Sequence, residues 1–224
     1  MVPDAPVLYS FRRCPYAMRA RMALSVAEIQ CRLREVVLRE KPPEMIAASP
    51  KGTVPVLVQT DGPVIEESLE VMLWALQQHD PEGWLSPDSG TIEDMLALIK
   101  TFDGPFKRAL DRYKYPNRFP KALLARQDPK VTASQYLEQL ETRLSETEFL
   151  FGNRASLADM AIFPFIRQFA NTDRAWFDVQ PWPKLQTWLQ AQLDSSRFTS
   201  IMAKYPQWKT GDPEAAFPPS EANS

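Results

Sequence analysis

Hydrophobic positions change their spacing part-way along the chain. In the first eighty residues short apolar runs alternate with helical stretches: Val7 to Tyr9 predicts a strand, Pro15 to Val26 a helix, and Arg32 to Leu38 a second strand with Leu33 and Val37 among charged neighbours. That is a βαβ unit, whose crossover is expected to be right-handed. Pro42 to Ala48 predicts a short irregular helix, and Pro55 to Val58 a strand. Asp61-Gly62 then predicts a hairpin turn and Val64 to Glu66 the returning strand. Leu69, Met72, Leu73 and Leu76 follow at helical spacing. Pro81 to Pro87 breaks that helix, and beyond it only helical spacing remains. Met95, Ile99, Phe102, Phe106 and Leu110 mark one long amphipathic helix; Tyr136, Leu137, Leu140 and Leu144 mark a second; Leu185, Trp188, Leu189 and Leu193 mark a third. The pattern predicts an α/β domain over 5–80, a linker over 81–90, an all-helical domain over 91–209 and a Pro, Ala, Glu and Ser-rich tail over 210–224, ordered only if it docks.

Composition narrows the chemistry. With 224 residues and 44% hydrophobic content the chain can bury a proper core. A net charge of −2 gives no global pull toward nucleic acid or an anionic membrane. No stretch reaches the ~18 apolar residues of a membrane span, and Met1 to Ser10 lacks the basic and apolar regions of a signal peptide, so a cytoplasmic location is expected. Cys14, Cys31 and the single His79 fall short of a tetrahedral zinc site, and no metal is expected. A helix of about 12 residues between the two cysteines would hold them ~18 Å apart, so a Cys14–Cys31 disulfide does not fit.

Cys14 stands where the first strand turns into the first helix. A helix start carries partial positive charge, and Arg12, Arg13, Arg19 and Arg21 add cationic field, which favours thiolate over thiol. Pro15 suits the first helical position. Val54-Pro55 opens the third strand and suggests an edge, a bulge or a cis bond. Glu67-Ser68 opens the next helix, where free N–H groups suit a carboxylate ligand, although serine as a cap and glutamate in a first turn account for the same residues. Cys31 reads as a packed thiol, and His79 as a partner for a helix C-terminus, with a Cys14/His79 protease dyad as a minor alternative. Ser156 and Asp159 read as a capping box with Ala155 and Met160 at staple positions, a motif assigned wholly to folding. Lys107 to Arg126 holds seven basic residues against Asp111 alone, interleaved with Phe106, Tyr113, Tyr115 and Phe119. A solvated face with aromatic packing explains this mixture better than single-stranded nucleic acid binding.

Together these residues resemble the glutathione transferase superfamily, from about Val7 to Trp208. The resemblance implies a thioredoxin-like N-terminal domain (βαβ-ββα) followed by an all-helical one. Cys14-Pro15-Tyr16-Ala17 is similar to the active-site sequence of omega-type and glutaredoxin-like bacterial members. By that resemblance glutathione is the co-substrate, and Cys14, Pro15 and Tyr16 form its thiol site. Val54, before a cis Pro55, pairs with the cysteinyl part, Glu67 and Ser68 hold the γ-glutamyl group, and Lys41 meets the glycyl carboxylate. Phe106 and Tyr113 are expected to line an acceptor pocket. A cysteine here implies thiol transfer through a mixed disulfide or thioether exchange at Cys14, on a glutathionylated thiol or small-molecule substrate. Ala17 stands where a resolving cysteine would be. Conventional conjugation and a non-catalytic binding or scaffold role are the alternatives. The family's two-fold dimers make a homodimer an open expectation.

Overall fold

The computed structural model describes residues 4–219; residues 220–224 of the expected tail, and the side chain of Arg126 in the basic segment, lie outside what is described. The described chain divides into two compact units, one formed by Met1–Glu82 with Asp194–Ser224 and one by Gly83–Leu193. The first is built from β1 (Val7–Ser10), α1 (Pro15–Val26), β2 (Cys31–Glu35), α2 (Pro43–Ala48), β3 (Val56–Val58), β4 (Val64–Ile65) and α3 (Ser68–Gln78). The helical unit contains α4 (Ile92–Thr101), α5 (Lys107–Lys114), α6 (Lys121–Arg126), α7 (Pro129–Glu146), α8 (Leu157–Ala170), α9 (Arg174–Asp178) and α10 (Pro183–Asp194). The chain then returns to the first unit with α11 (Ser196–Ile201) and β5 (Ala215–Phe217).

The sheet runs β4-β3-β1-β2-β5. β1 and β2 are parallel, with Ser10 opposite Glu35, and β3 and β4 join antiparallel beside β1. This is the thioredoxin-like βαβ-ββα arrangement. β1 is buried along its whole length, as its apolar run requires. One face of the sheet gives Val7, Tyr9 and Val56 to a cluster with Ala17, Met45, Val54 and Trp208. β2 stops at Glu35, short of the predicted Leu38, because Val37 and Glu40 pair with each other in a turn and Leu38 faces solvent.

Two expectations about the boundaries are corrected. The segment read as a linker is not free of the helical unit: Trp84 is fully buried, and its carbonyl accepts from Leu157 N at 2.9 Å. A large aromatic next to Gly83 seats this stretch against α8 despite its prolines. The predicted tail carries β5, antiparallel to β2 with Cys31 opposite Phe217, so the first unit gains its last strand from the far end of the sequence.

The long helix predicted from Met95 to Leu110 is interrupted. Pro105 lacks an N–H and its ring would clash with the carbonyl one turn back, and a π-helical turn over Phe102–Phe106 absorbs it between α4 and α5. The periodicity survives: Phe102 and Phe106 are both fully buried, with ring centroids 4.9 Å apart. At the centre of this unit lies α8, buried through most of its length. Its first-turn Asp159 accepts from Ser156 N (3.0 Å), Ser156 Oγ (2.7 Å), Leu150 N (2.9 Å) and Trp188 Nε1 (2.9 Å). Burial raises the Asp159 pKa, and those hydrogen bonds oppose the rise.

Candidate active site

Cys14 occupies the N-cap position of α1 in extended conformation (φ −77°, ψ 123°), with Pro15 opening the helix and no side chain capping it. A turn closed by Cys14 N donating to Phe11 O, at 3.0 Å, brings the residue there from β1. The thiol is half-buried and donates to the Val54 carbonyl at 3.7 Å. Val54 is buried, the Val54–Pro55 bond is cis, and β3 follows directly. Two residues earlier Gly52 has φ +60°, and a Cβ there would lie 3.1 Å from Lys41 Nζ. The Lys41 side chain therefore lies along the loop that leads to Val54.

The start of α3 differs from the capping reading. Glu67, not Ser68, takes the N-cap position, and no side chain caps this helix. The Glu67 carboxylate pairs with Lys51 Nζ at 2.5 Å, and this bond raises the lysine pKa. Ser68 is the first helical residue, buried, and its Oγ accepts from Arg19 Nε at 2.9 Å. Arg19 also lies over the Tyr16 ring, 5.2 Å from its centroid. The arginine thus ties the first turn of α1 to that of α3.

Arg19 and Arg21 are buried, which the cationic-field argument did not anticipate. Arg21 donates to Ser10 Oγ at 2.5 Å and to the Arg12 carbonyl at 2.8 Å, and Glu35 accepts from Arg12 N at 2.6 Å. These contacts grip the turn before Cys14 from β1 and β2. Burial lowers the Arg21 pKa to about 10, which leaves it charged at neutral pH, while the nearby Glu35 and Cys14 charges favour its cationic form. Burial raises the Glu35 pKa, against the pull of Arg12 and Arg21. The signal was present in the sequence: two arginines within the otherwise apolar Ala17 to Leu24 need buried acceptors.

Other candidates are redistributed. His79 pairs with Glu28 at 3.8 Å, just past the end of α1, whereas Cys14 begins that helix; twelve residues at 1.5 Å each separate them by about 18 Å, which removes the protease dyad. Cys31 sits at the start of β2, level with the far end of β1 from Cys14, and burial pushes its thiol up to about 12. Phe106 does not line a pocket: it has no exposed surface and packs against Phe102, Tyr136 and Phe169. Tyr113 is half-buried against Phe169, with centroids 5.3 Å apart. In the basic segment Lys107 pairs with Asp111, and Arg118 covers Tyr115 at 4.1 Å. Among the described residues there is no cluster of three or more His, Cys, Asp or Glu able to hold a metal ion, and no helix long and apolar enough to cross a membrane.

A thioredoxin-like unit that presents an N-cap cysteine beside a cis-proline loop, together with an all-helical unit, defines a class. Residues 8–83 match the family model of the glutathione S-transferase N-terminal domain, and residues 130–191 that of the C-terminal domain. The chain belongs to the glutathione S-transferase superfamily. It is similar to glutathione S-transferase omega-1 of Rattus norvegicus, 26% identical over 84% of this chain and 77% of the relative. It is also similar to FtsZ-localized protein A of Caulobacter vibrioides, 25% identical over 88% of this chain and 90% of that one. A glutathione transferase family member from Pseudomonas fluorescens pf-5, solved with two glutathione bound, shares the fold at a TM-score of 0.76 and 19% identity, covering 90% of this chain and 94% of its own.

Proposed function

We propose that this protein is a cysteine-type glutathione transferase that moves glutathione between thiols through a mixed disulfide on Cys14. The carrying observation is a half-buried thiol at the uncapped start of α1, facing the Val54 carbonyl. In this reading glutathione docks along the loop ending at Pro55. Val54 meets its cysteinyl part, Glu67 and Ser68 its γ-glutamyl group, and Lys41 its glycyl carboxylate. Tyr16 and Pro15 border the thiol. The positive ends of the α1 and α3 helix dipoles favour a thiolate and a carboxylate respectively.

The chemistry balances in two exchanges. The Cys14 thiolate attacks the glutathione sulfur of a glutathionylated thiol, forming the Cys14–glutathione disulfide and expelling the substrate as its thiolate, which takes a proton from solvent. A second glutathione, as thiolate, attacks that same glutathione sulfur, leaves as glutathione disulfide and returns Cys14 to its thiolate. An external resolving thiol is needed because Ala17 carries no sulfur and Cys31 is buried, protonated and at the other end of β1. Substrates of this class are glutathionylated proteins and small thiols; the site would work as a soluble cytoplasmic enzyme needing no metal. Turnover of a glutathionylated small thiol, followed by glutathione disulfide release, tests the proposal, and a product carrying a glutathione thioether would instead indicate conjugation.

A second reading is a fold retained for binding rather than turnover; one relative, FtsZ-localized protein A, is named for its localisation with another protein and not for a reaction. Absence of both turnover and a Cys14 adduct would favour it.

A further inference from the structure

The returning C-terminal segment crosses the loop that holds Lys41. That loop runs from β2 to Pro42, the N-cap residue of α2; Glu40 N donates to Val37 O, and Met45 N and Ile46 N to Pro42 O as the helix begins. Two acids, Glu40 and Glu44, flank Lys41 in sequence. Glu40 lies in the loop and Glu44 in the first turn of α2, and each is held by the returning segment, Glu40 by Gln207 Nε2 at 3.3 Å and Glu44 by Thr210 Oγ1 at 3.1 Å.

The holding segment is firmly seated. Trp208 N donates to Glu35 O at 2.8 Å, and its ring covers the Arg34 guanidinium at 4.0 Å. Arg34 also donates to Tyr9 Oη at 2.5 Å and to Glu214 at 2.6 Å, and Glu214 reaches Arg32 at 3.3 Å. β5 then extends the sheet beside β2. Between these anchors Trp208 Nε1 and Lys209 N bond to Asp212, closing the turn that carries Thr210.

We propose that Gln207 and Thr210 are positioning residues that set the preference for the intact tripeptide glutathione, an inference that rests on Lys41 receiving the glycyl carboxylate. Glu40 and Glu44 are the nearest anions in sequence to Lys41. Released, their carboxylates compete with the ligand for its ammonium; held by neutral donors on a rigid strap, they leave it open. The strap therefore acts on the glycyl end of the ligand and not on the thiol chemistry of Cys14.

γ-Glutamylcysteine, which lacks the glycyl carboxylate, separates the two. Calorimetric affinities for glutathione and γ-glutamylcysteine would be measured on the wild type, on Gln207→Ala/Thr210→Ala, and on that variant with Glu40→Gln and Glu44→Gln added. The wild type should prefer glutathione; the double variant should lose about fivefold of that preference through glutathione alone. Removing the two acids should restore it, which simple loosening of the loop would not. An unchanged preference in the double variant, equal losses for both thiols, or no rescue overturns the proposal. A wild type that binds neither thiol overturns the glutathione reading itself, and one that binds both equally overturns the Lys41 assignment; either takes the proposal with it.

Discussion

Helix starts are finished differently beside the candidate chemistry and across most of the helical unit. In the helical unit Thr91 and Asp94 close a reciprocal capping box at α4, Asp128 caps α7, Asp173 caps α9, and Asp159 anchors the start of α8. In the thioredoxin-like unit the helices nearest the candidate chemistry, α1 and α3, begin without a side-chain cap. A cap satisfies the orphan N–H groups from within, at a gain of roughly 1 kcal/mol each. An uncapped start leaves those groups and the positive end of the dipole to an external anion. The capped starts serve the fold; in the proposed reading the uncapped starts of α1 and α3 are the ones that glutathione completes.

The sharpest way to break this division is at the uncapped cysteine. Cys14→Ser should lower thiol-transfer turnover by about three orders of magnitude or more while the melting temperature barely moves; retained turnover would remove Cys14 from the mechanism. At the opposite pole, Asp159→Ala strands the Trp188, Leu150 and Ser156 donors and should cost about 3 kcal/mol or more in chemical denaturation. The folded fraction should bind glutathione with unchanged affinity. Glu67→Ala should weaken glutathione binding about tenfold with little change in stability, since the Lys51 pair is exposed. Ser156→Ala should show the reverse, losing about 0.5–2 kcal/mol of stability with no loss of affinity. A pair of variants that both moved the same observable would erase the distinction. Finally, iodoacetamide at neutral pH should alkylate Cys14 and spare Cys31: a thiol whose pKa is pushed up to about 12 stays protonated at every pH well below that, and burial blocks the reagent.

Much of the architecture was legible in local pattern. The βαβ-ββα order followed from apolar runs and the Asp61-Gly62 turn, and the helix periods from Leu and Phe spacing, because each is decided within a few residues. Cys14 was legible for the same reason, as a thiol at a strand-to-helix junction followed by proline. Illegible features depend on distant partners. Taken alone, Glu67 and Ser68 read better as a cap than as a ligand site, whereas their side chains engage Lys51 and Arg19, which lie 16 and 49 residues away. Phe106 looked like a pocket residue because its burial depends on Tyr136 and Phe169, from other helices. The tail gave no strand signal because Ala215–Phe217 is three residues long, and it is ordered by β2 and by the Arg34 clamp, some 180 residues away. Pro105 was visible in the sequence, yet a π-helical turn keeps the apolar period through it, so periodicity alone hid the break.

Everything proposed for the site depends on Cys14 being the exchange point for glutathione. Its most direct test is intact-protein and peptide mass spectrometry after exposure of the reduced protein to glutathione disulfide, followed by free glutathione. A single glutathionyl adduct is expected, on Cys14, that free glutathione removes. No adduct, or an adduct on Cys31 with Cys14 unmodified, would contradict it.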